Sequence, residues 1–332
     1  MKRLMLVLLV LALCGMMVFV SCRRAVDPDG VINITMAIAG NPQENLTIAF
    51  FHFAERVEEL SGGRMRVHVA HSSVLGGQRD YMEQMQMGSL EGAEIVVSVL
   101  SAFDPSFMVF DLPYVSTSVP AMQELLEGPM GQKFSDSLEA RTGVKILGWM
   151  VRSPRNMYIA SRPIHRVEDF AGMRVRIMES PVMHRTFTLL GAVPVPISAS
   201  ERYMALQTGV VDAAENAVSL ILTEREYEVT RYVSLTEHML SPCVIAFSAR
   251  FFHSLPPDLQ QVLLQAGFEA GRFATRLDME GEAETLRELE RRGMIVNEIP
   301  DKTPFVERTR PIFDEFRDRI GADLMDEFLR HL

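Results

Sequence analysis

Along this chain the spacing of apolar residues changes period repeatedly, and each change marks an element. From Val31 to Ile38 the pattern alternates, with Ile32, Ile34, Met36 and Ile38 on one face, which predicts a strand. Leu46, Phe50, Phe53, Val57 and Leu60 then recur at helical spacing and stop at Gly62-Gly63, as an amphipathic helix with a glycine end would. Met65, Val67 and Val69 alternate again. Leu75-Gly76-Gly77 turns the chain into a helix carrying Met82 and Met85 and closed by Gly88, and Ile95 to Leu100 reads as a buried strand. Residues 31–100 therefore spell β-α-β-α-β, the rhythm of an open parallel sheet covered by helices. Helical segments are expected at about 118–142, before Gly143, and a strand at Lys145–Val151.

A second α/β rhythm begins near residue 153. Met157 to Ala160 and Met173 to Ile177 read as strands. Ser180-Pro181 opens a helix that Gly191 closes, with Ser as cap and Pro in the first turn. Ser198-Ala199-Ser200-Glu201 has the spacing of a capping box for a further helix to Gly209, and Val211 to Asn216 follows as a short strand and loop. Val229–Leu235 and Val244–Ser248 look like strands that pass between the two halves. Pro256-Pro257 then starts a helical pattern of about 37 residues, about 55 Å at 1.5 Å per residue, weakened locally by Gly267, Gly271 and Gly281. That length suffices to brace two lobes. Pro304 to Leu332 reads as two short helices.

The run Leu4–Val20 behind Lys2 and Arg3 is uncharged, short for a spanning helix and right for a secretory signal. Phe19-Val20-Ser21-Cys22 resembles a lipobox, in which Cys22 takes a diacylglycerol; an uncleaved single-span anchor is the alternative. Residues 1–21 are read as a signal peptide and 22–30 as a lipidated tether, placing the body in the periplasm, anchored to a membrane by N-terminal lipid. Of the three cysteines only Cys243 lies in the body, inside an apolar run, so no disulfide framework is expected.

Composition then narrows the function. The chain has 332 residues, is 48% hydrophobic and carries a net charge of −10, which suits a large folded core and argues against a nucleic-acid partner. No nucleophile elbow, zinc-binding helix, phosphate loop, C-x-x-C pair or dinucleotide fingerprint occurs, and the eight histidines show no metal spacing. Neither an enzyme nor a cofactor or metal protein is therefore expected. What remains is Arg176, near the carboxyl end of a strand in an α/β sheet, where ligands of such sheets sit. Its planar guanidinium matches a carboxylate with two parallel hydrogen bonds.

Several stretches in order carry a family resemblance: ELSGGRMRVHV at 59–69, MQMGSLEGA at 85–93, FDLPYV at 110–115, EDFAGMRVRIMESPV at 168–182 and LLGAVPVPISASERYMALQTGVVDAAEN at 189–216. Together they resemble the solute-binding subunits of tripartite ATP-independent periplasmic (TRAP) transporters of the DctP type. The resemblance implies an α/β, two-lobed periplasmic-binding-protein-like fold with a long helix spanning both lobes, lobe I being 31–151 and 242–275 and lobe II 152–241 and 276–332. It implies that Arg176 pairs with the carboxylate of a small organic acid, that Arg155 assists and that Asn216 donates its amide. Asn41, Gln43, Glu44, Ser98 and Tyr114 are the candidates from the first lobe. Val96-Val97-Ser98-Val99 stands where some members carry charged selectivity residues, and Met173, Met178, Met183 and Met204 cluster nearby. An apolar monocarboxylate is therefore the expected solute. The implied partners are integral membrane TRAP permease subunits, with a periplasmic helical-repeat protein in some systems. The alternatives are a lipid-anchored sensor built on the same module and a carboxylate-transforming enzyme.

Overall fold

The computed structural model describes residues 30–332. The signal run, Cys22 and the tether up to residue 29 lie outside the described residues.

In the first lobe β1 (Ile32–Ala37), α1 (Asn45–Leu60), β2 (Met65–Ala70), α2 (Gln78–Met87) and β3 (Gly92–Val96) follow one another as the periodicity predicts. β1 pairs in parallel with β2, Ile32 opposite Met65, and with β3, Met36 opposite Gly92. The expected strand Ile95–Leu100 ends early: Val97–Leu100 is a helical turn, α3. Val97 N donates to Pro242 O at 3.0 Å, and Ser101 Oγ to Ser98 O at 2.7 Å. An unbroken apolar run carries no period that would mark such a change. The helical stretch near 118–142 splits at Gly128-Pro129 into α4 (Val119–Glu127) and α5 (Pro129–Thr142), which leads through Gly143 (φ 70°) into β4 (Val144–Met150).

The second lobe holds β5 (Arg155–Ile159), β6 (Arg174–Ile177), α6 (Pro181–Leu190), β7 (Val193–Pro196), α7 (Arg202–Gln207), β8 (Ala213–Asn216), α8 (Val218–Thr223) and β9 (Tyr232–Met239). Ser180 caps α6 by accepting from Met183 N. The capping box expected at 198–201 does not form. Ser198 Oγ donates instead to the Glu201 carboxylate at 2.6 Å, and a 3-10 turn at Ala199–Glu201 precedes the helix. The chain then recrosses to the first lobe, where β10 (Cys243–Ser248) inserts antiparallel between β3 and β4. The sheet orders are β2-β1-β3-β10-β4 in the first lobe and, with β11 (Ile295–Glu298) parallel to β9, β11-β9-β5-β8-β6-β7 in the second.

After α9 (Ala249–Ser254) comes the long helix α10 (Pro257–Arg291), 35 residues and unbroken at its three glycines. Gly267 and Gly271 are sites of close approach rather than weakness. A Cβ on Gly267 would lie 2.6 Å from Leu147 O, and one on Gly271 would collide with the Trp149 carbonyl. Hydrogen on Cα lets α10 rest directly on β4. Its first half packs on α1 and β4, and its second half reaches α8 and β11 in the other lobe. Where the halves meet, buried Asp278 accepts from Asn45 Nδ2 (3.1 Å), Ser219 Oγ (2.7 Å) and Ser153 N (2.7 Å), fastening α1, α8 and the connection between β4 and β5.

One expected boundary is corrected. Residues 276–332 were assigned to the second lobe, but only part of that tail stays there. α11 (Thr303–Thr309) does, with Phe305 6.3 Å from Phe170. α12 (Pro311–Ile320) and α13 (Ala322–His331) return to the first lobe, where Ile312, Phe316 and Phe328 join the core of Phe107, Phe110, Phe134 and Trp149. Phe328 meets Phe110 edge-on at 5.2 Å. The amphipathic pattern of these helices shows which face is apolar but not which lobe covers it.

Candidate functional site

Between the lobes lies a cavity of about 700 Å³. The lobes touch across its mouth. Arg79 Nε on α2 is 3.0 Å from Glu179 Oε2, and Asn41 Nδ2 donates to Thr223 O (2.8 Å) and Glu224 Oε1 (3.1 Å).

Arg176 reaches this cavity from β6 and is 2% exposed. Its Nε donates to Ile197 O at 2.8 Å. Among the described residues no carboxylate stands within ion-pair distance of it. Burial, with neighbouring Arg202 adding repulsion, pushes its pKa down to about 10, so the group stays charged at neutral pH. Asn216, the last residue of β8, is buried on the same wall. Its Oδ1 accepts from Ala217 N at 3.0 Å, and its Nδ2 has no protein partner among the described residues.

Arg155, the first residue of β5, also lines the cavity but is already neutralised. Its guanidinium forks onto the Glu215 carboxylate, with Nη2 2.8 Å from Oε1, and Nη2 also donates to Glu215 O at 2.8 Å. Burial alone would raise the Glu215 carboxyl. Arg155 and His238 outweigh it and hold the group at about 2.

The candidates from the first lobe divide. Glu44 lines the cavity, caps α1 through Thr47 N (3.0 Å) and accepts from Arg152 Nη1 at 2.6 Å. Asn41 lines it too. Exposed Gln43 does not: its backbone N–H donates to Asn41 Oδ1 at 2.9 Å and so holds Asn41 in place. Ser98 and Tyr114 lie away from the cavity. Ser98 donates to Asp111, which also accepts from Ser180 Oγ of the second lobe at 2.6 Å. Burial raises the Asp111 carboxyl to about 6. Tyr114, with a positive φ of 58°, donates its N–H to His238 O at 2.7 Å.

Four buried charged side chains of the cavity escaped the sequence reading: Arg152, Glu94, Arg202 and Glu226. Arg152 lies in the connection between β4 and β5, and its partner Glu44 is 108 positions away, beyond any local signal. Arg202 and Glu226 form a buried pair at 2.5 Å. Glu94 did carry a signal, since a lone acid inside a five-residue strand buried throughout is rare without a purpose.

The expected methionine lining is present only in part. Of the four methionines only Met178 lines the cavity; Met173 and Met183 are core residues and Met204 is 54% exposed. Val96, Val99, Ile197 and Leu220 also border it, interleaved with charged and amide side chains.

With this geometry in place, the relatives are informative. The chain matches the family described as bacterial extracellular solute-binding protein, family 7 (DctP), over residues 36–319. A solute-binding protein of Chromohalobacter salexigens is 30% identical over 264 residues, 80% of this chain and 78% of that protein. Among solved structures, a TRAP periplasmic solute-binding protein of Sulfitobacter with bound β-D-galacturonate superposes with a TM-score of 0.86 at 30% identity, covering 90% of this chain and 99% of that one. The sugar acid binding protein of Advenella mimigardefordensis, in complex with galactonate, gives 0.88 at 28% identity, covering 91% and 97%. The chain belongs to the DctP family of extracellular solute-binding proteins, a family of binding proteins rather than enzymes, and its fold is the two-lobed one of TRAP periplasmic receptors.

Proposed function

We propose that this protein is the solute receptor of a TRAP transporter and captures a small organic acid by docking its carboxylate on Arg176. The observation that carries the reading is a guanidinium buried in the wall of the cavity between the lobes with no acid within ion-pair distance among the described residues. Every other fully buried arginine on that wall has its own carboxylate. A charge left unpaired in a dry cleft is costly unless a ligand completes it. Asn216 supplies an amide N–H₂ to the same carboxylate, and Arg155, locked onto Glu215, holds the wall in shape. The similar structures from Sulfitobacter and Advenella hold galacturonate and galactonate, both carboxylates, which supports the reading.

Lobe closure over the acid is a population shift driven by the better contacts of the closed state. In this reading Cys22 carries the lipid anchor, and the closed receptor hands its cargo to integral membrane permease subunits driven by an ion gradient. The test is mass spectrometry of the small molecule that co-purifies, followed by calorimetry of that acid with Arg176→Ala and Arg176→Lys. Each charge-assisted hydrogen bond contributes about 1.5–3 kcal/mol, so affinity should fall at least about tenfold in both variants. Unchanged affinity would overturn the assignment.

A further inference from the structure

Asn41 is expected from the sequence to meet the solute, yet its side chain is committed to the opposite lobe. Its Nδ2 donates to Thr223 O at 2.8 Å and to Glu224 Oε1 at 3.1 Å. Thr223 ends α8, so an amide of the first lobe caps the C-terminus of a helix of the second. The turn that carries Asn41 is tightly held. A Cβ on Gly40 would lie 2.7 Å from Glu44 Oε2 and 2.8 Å from Thr47 Oγ1. Gln43 N donates to Asn41 Oδ1 at 2.9 Å, Glu44 N donates to Asn41 O at 3.1 Å, and Glu44 is itself tied to Arg152. A stiff support thus presents the amide nitrogen, while the amide oxygen is already used.

The same two segments are joined a second time, by Asp278, which accepts from Asn45 Nδ2 on one side and Ser219 Oγ on the other. Thr223 lies one turn beyond Ser219 on α8, and Asn41 stands just ahead of Asn45. A single point of attachment is a pivot and lets the lobes rotate. A second bond beside the pivot stops the rotation, so it must break when the cleft opens. Burial raises the Glu224 carboxyl, with Glu226 and Glu44 adding repulsion, while Arg202 and Asn41 oppose the rise. The donor from Asn41 therefore relieves an acid that closure takes out of water.

We infer that Asn41 is a positioning residue, a latch that pins α8 to the first lobe in the closed form and so sets how long the cleft stays shut, without touching the solute. The inference does not rest on the Arg176 reading, because the latch acts on the lobes whether or not an acid is bound.

The experiment places fluorophores at two exposed positions on opposite jaws, Val74 beside cavity-lining Ser73 and Met204 beside cavity-lining Tyr203. Single-molecule energy transfer then reads the closed-to-open ratio of protein stripped of bound acid by unfolding and refolding. Asn41→Asp keeps the acceptor for Gln43 N, and with it the turn, but sets a second carboxylate against Glu224. It should cut the closed-to-open ratio at least about tenfold, the worth of a charge-assisted hydrogen bond. In the double variant Asn41→Asp/Glu224→Gln donor and acceptor change places, and the ratio should recover in part. A ratio that Asn41→Asp leaves unchanged overturns the latch. A fall that the double variant does not relieve assigns Asn41 to the fold of its own turn and overturns it as well. So does a wild type that is open throughout without acid. None of these outcomes involves an acid, so the Arg176 reading stands or falls separately.

Discussion

Replacing Arg176 by methionine should make the ligand-free protein more stable while destroying its affinity for an acid. The perturbation removes a guanidinium that is 2% exposed and has no carboxylate within ion-pair distance among the described residues. Burial, above all, lowers the pKa of Arg176 from the ordinary guanidinium range to about 10. At pH 7 the group is charged in both folded and unfolded chains, so the full difference opposes folding. At 1.36 kcal/mol per pH unit it amounts to about 3 kcal/mol. Methionine fills similar volume with flexible, polarisable atoms and carries no charge. It also forfeits the bond from Nε to Ile197 O, about 1 kcal/mol. The net gain is about 2 kcal/mol, or about 3 °C in melting temperature for a chain of this size. The assay is calorimetric melting of wild type and Arg176→Met after bound acid has been stripped by unfolding and refolding. Saturating acid should reverse the order, because only wild type gains from it. A variant that melts at or below ligand-free wild type would refute the claim that this cation is held at a cost for the sake of a ligand.

The other charged sites behave differently. Glu215→Gln leaves Arg155 buried without its partner and should cost about 3–5 kcal/mol, read as a lower denaturant midpoint. Asp111 is the pH-dependent case. Its folded pKa, about 6, is raised above the ordinary carboxylate value, so its contribution to stability is complete below about pH 4 and is lost as pH rises through 6. Asp111→Asn should therefore gain on wild type by about 3 kcal/mol between pH 4 and pH 8; parallel pH profiles for the two proteins would contradict this.

Much of the fold was written in local pattern. Alternation marked β1 and β2, helical spacing marked α1, and Ser180 with Gly191 marked both ends of α6. What failed was information with no local carrier. The run from Ile95 to Leu100 is apolar at nearly every position, so its turn from strand to helix has no local signal. The tail helices display an apolar face, but only assembly shows that Phe328 finds Phe110. Arg176 and Asn216 were legible as a strand-end cation and amide, and they share a cavity wall. Arg152 was not, because its chemistry is decided by Glu44 across the fold. Glu94 was legible as a lone acid inside a strand buried throughout, but only assembly shows that it lines the cavity.

The uninterrupted α10 equips the molecule with its own measuring stick. Thirty-five residues at 1.5 Å each make a rod of about 52 Å anchored in both lobes, with Asp278 bolting its middle. Fluorophores at its two ends would report a constant separation whatever the cargo. A pair at positions 79 and 179, where the jaws meet, would report occupancy directly. One polypeptide thus supplies both the signal and its internal calibration.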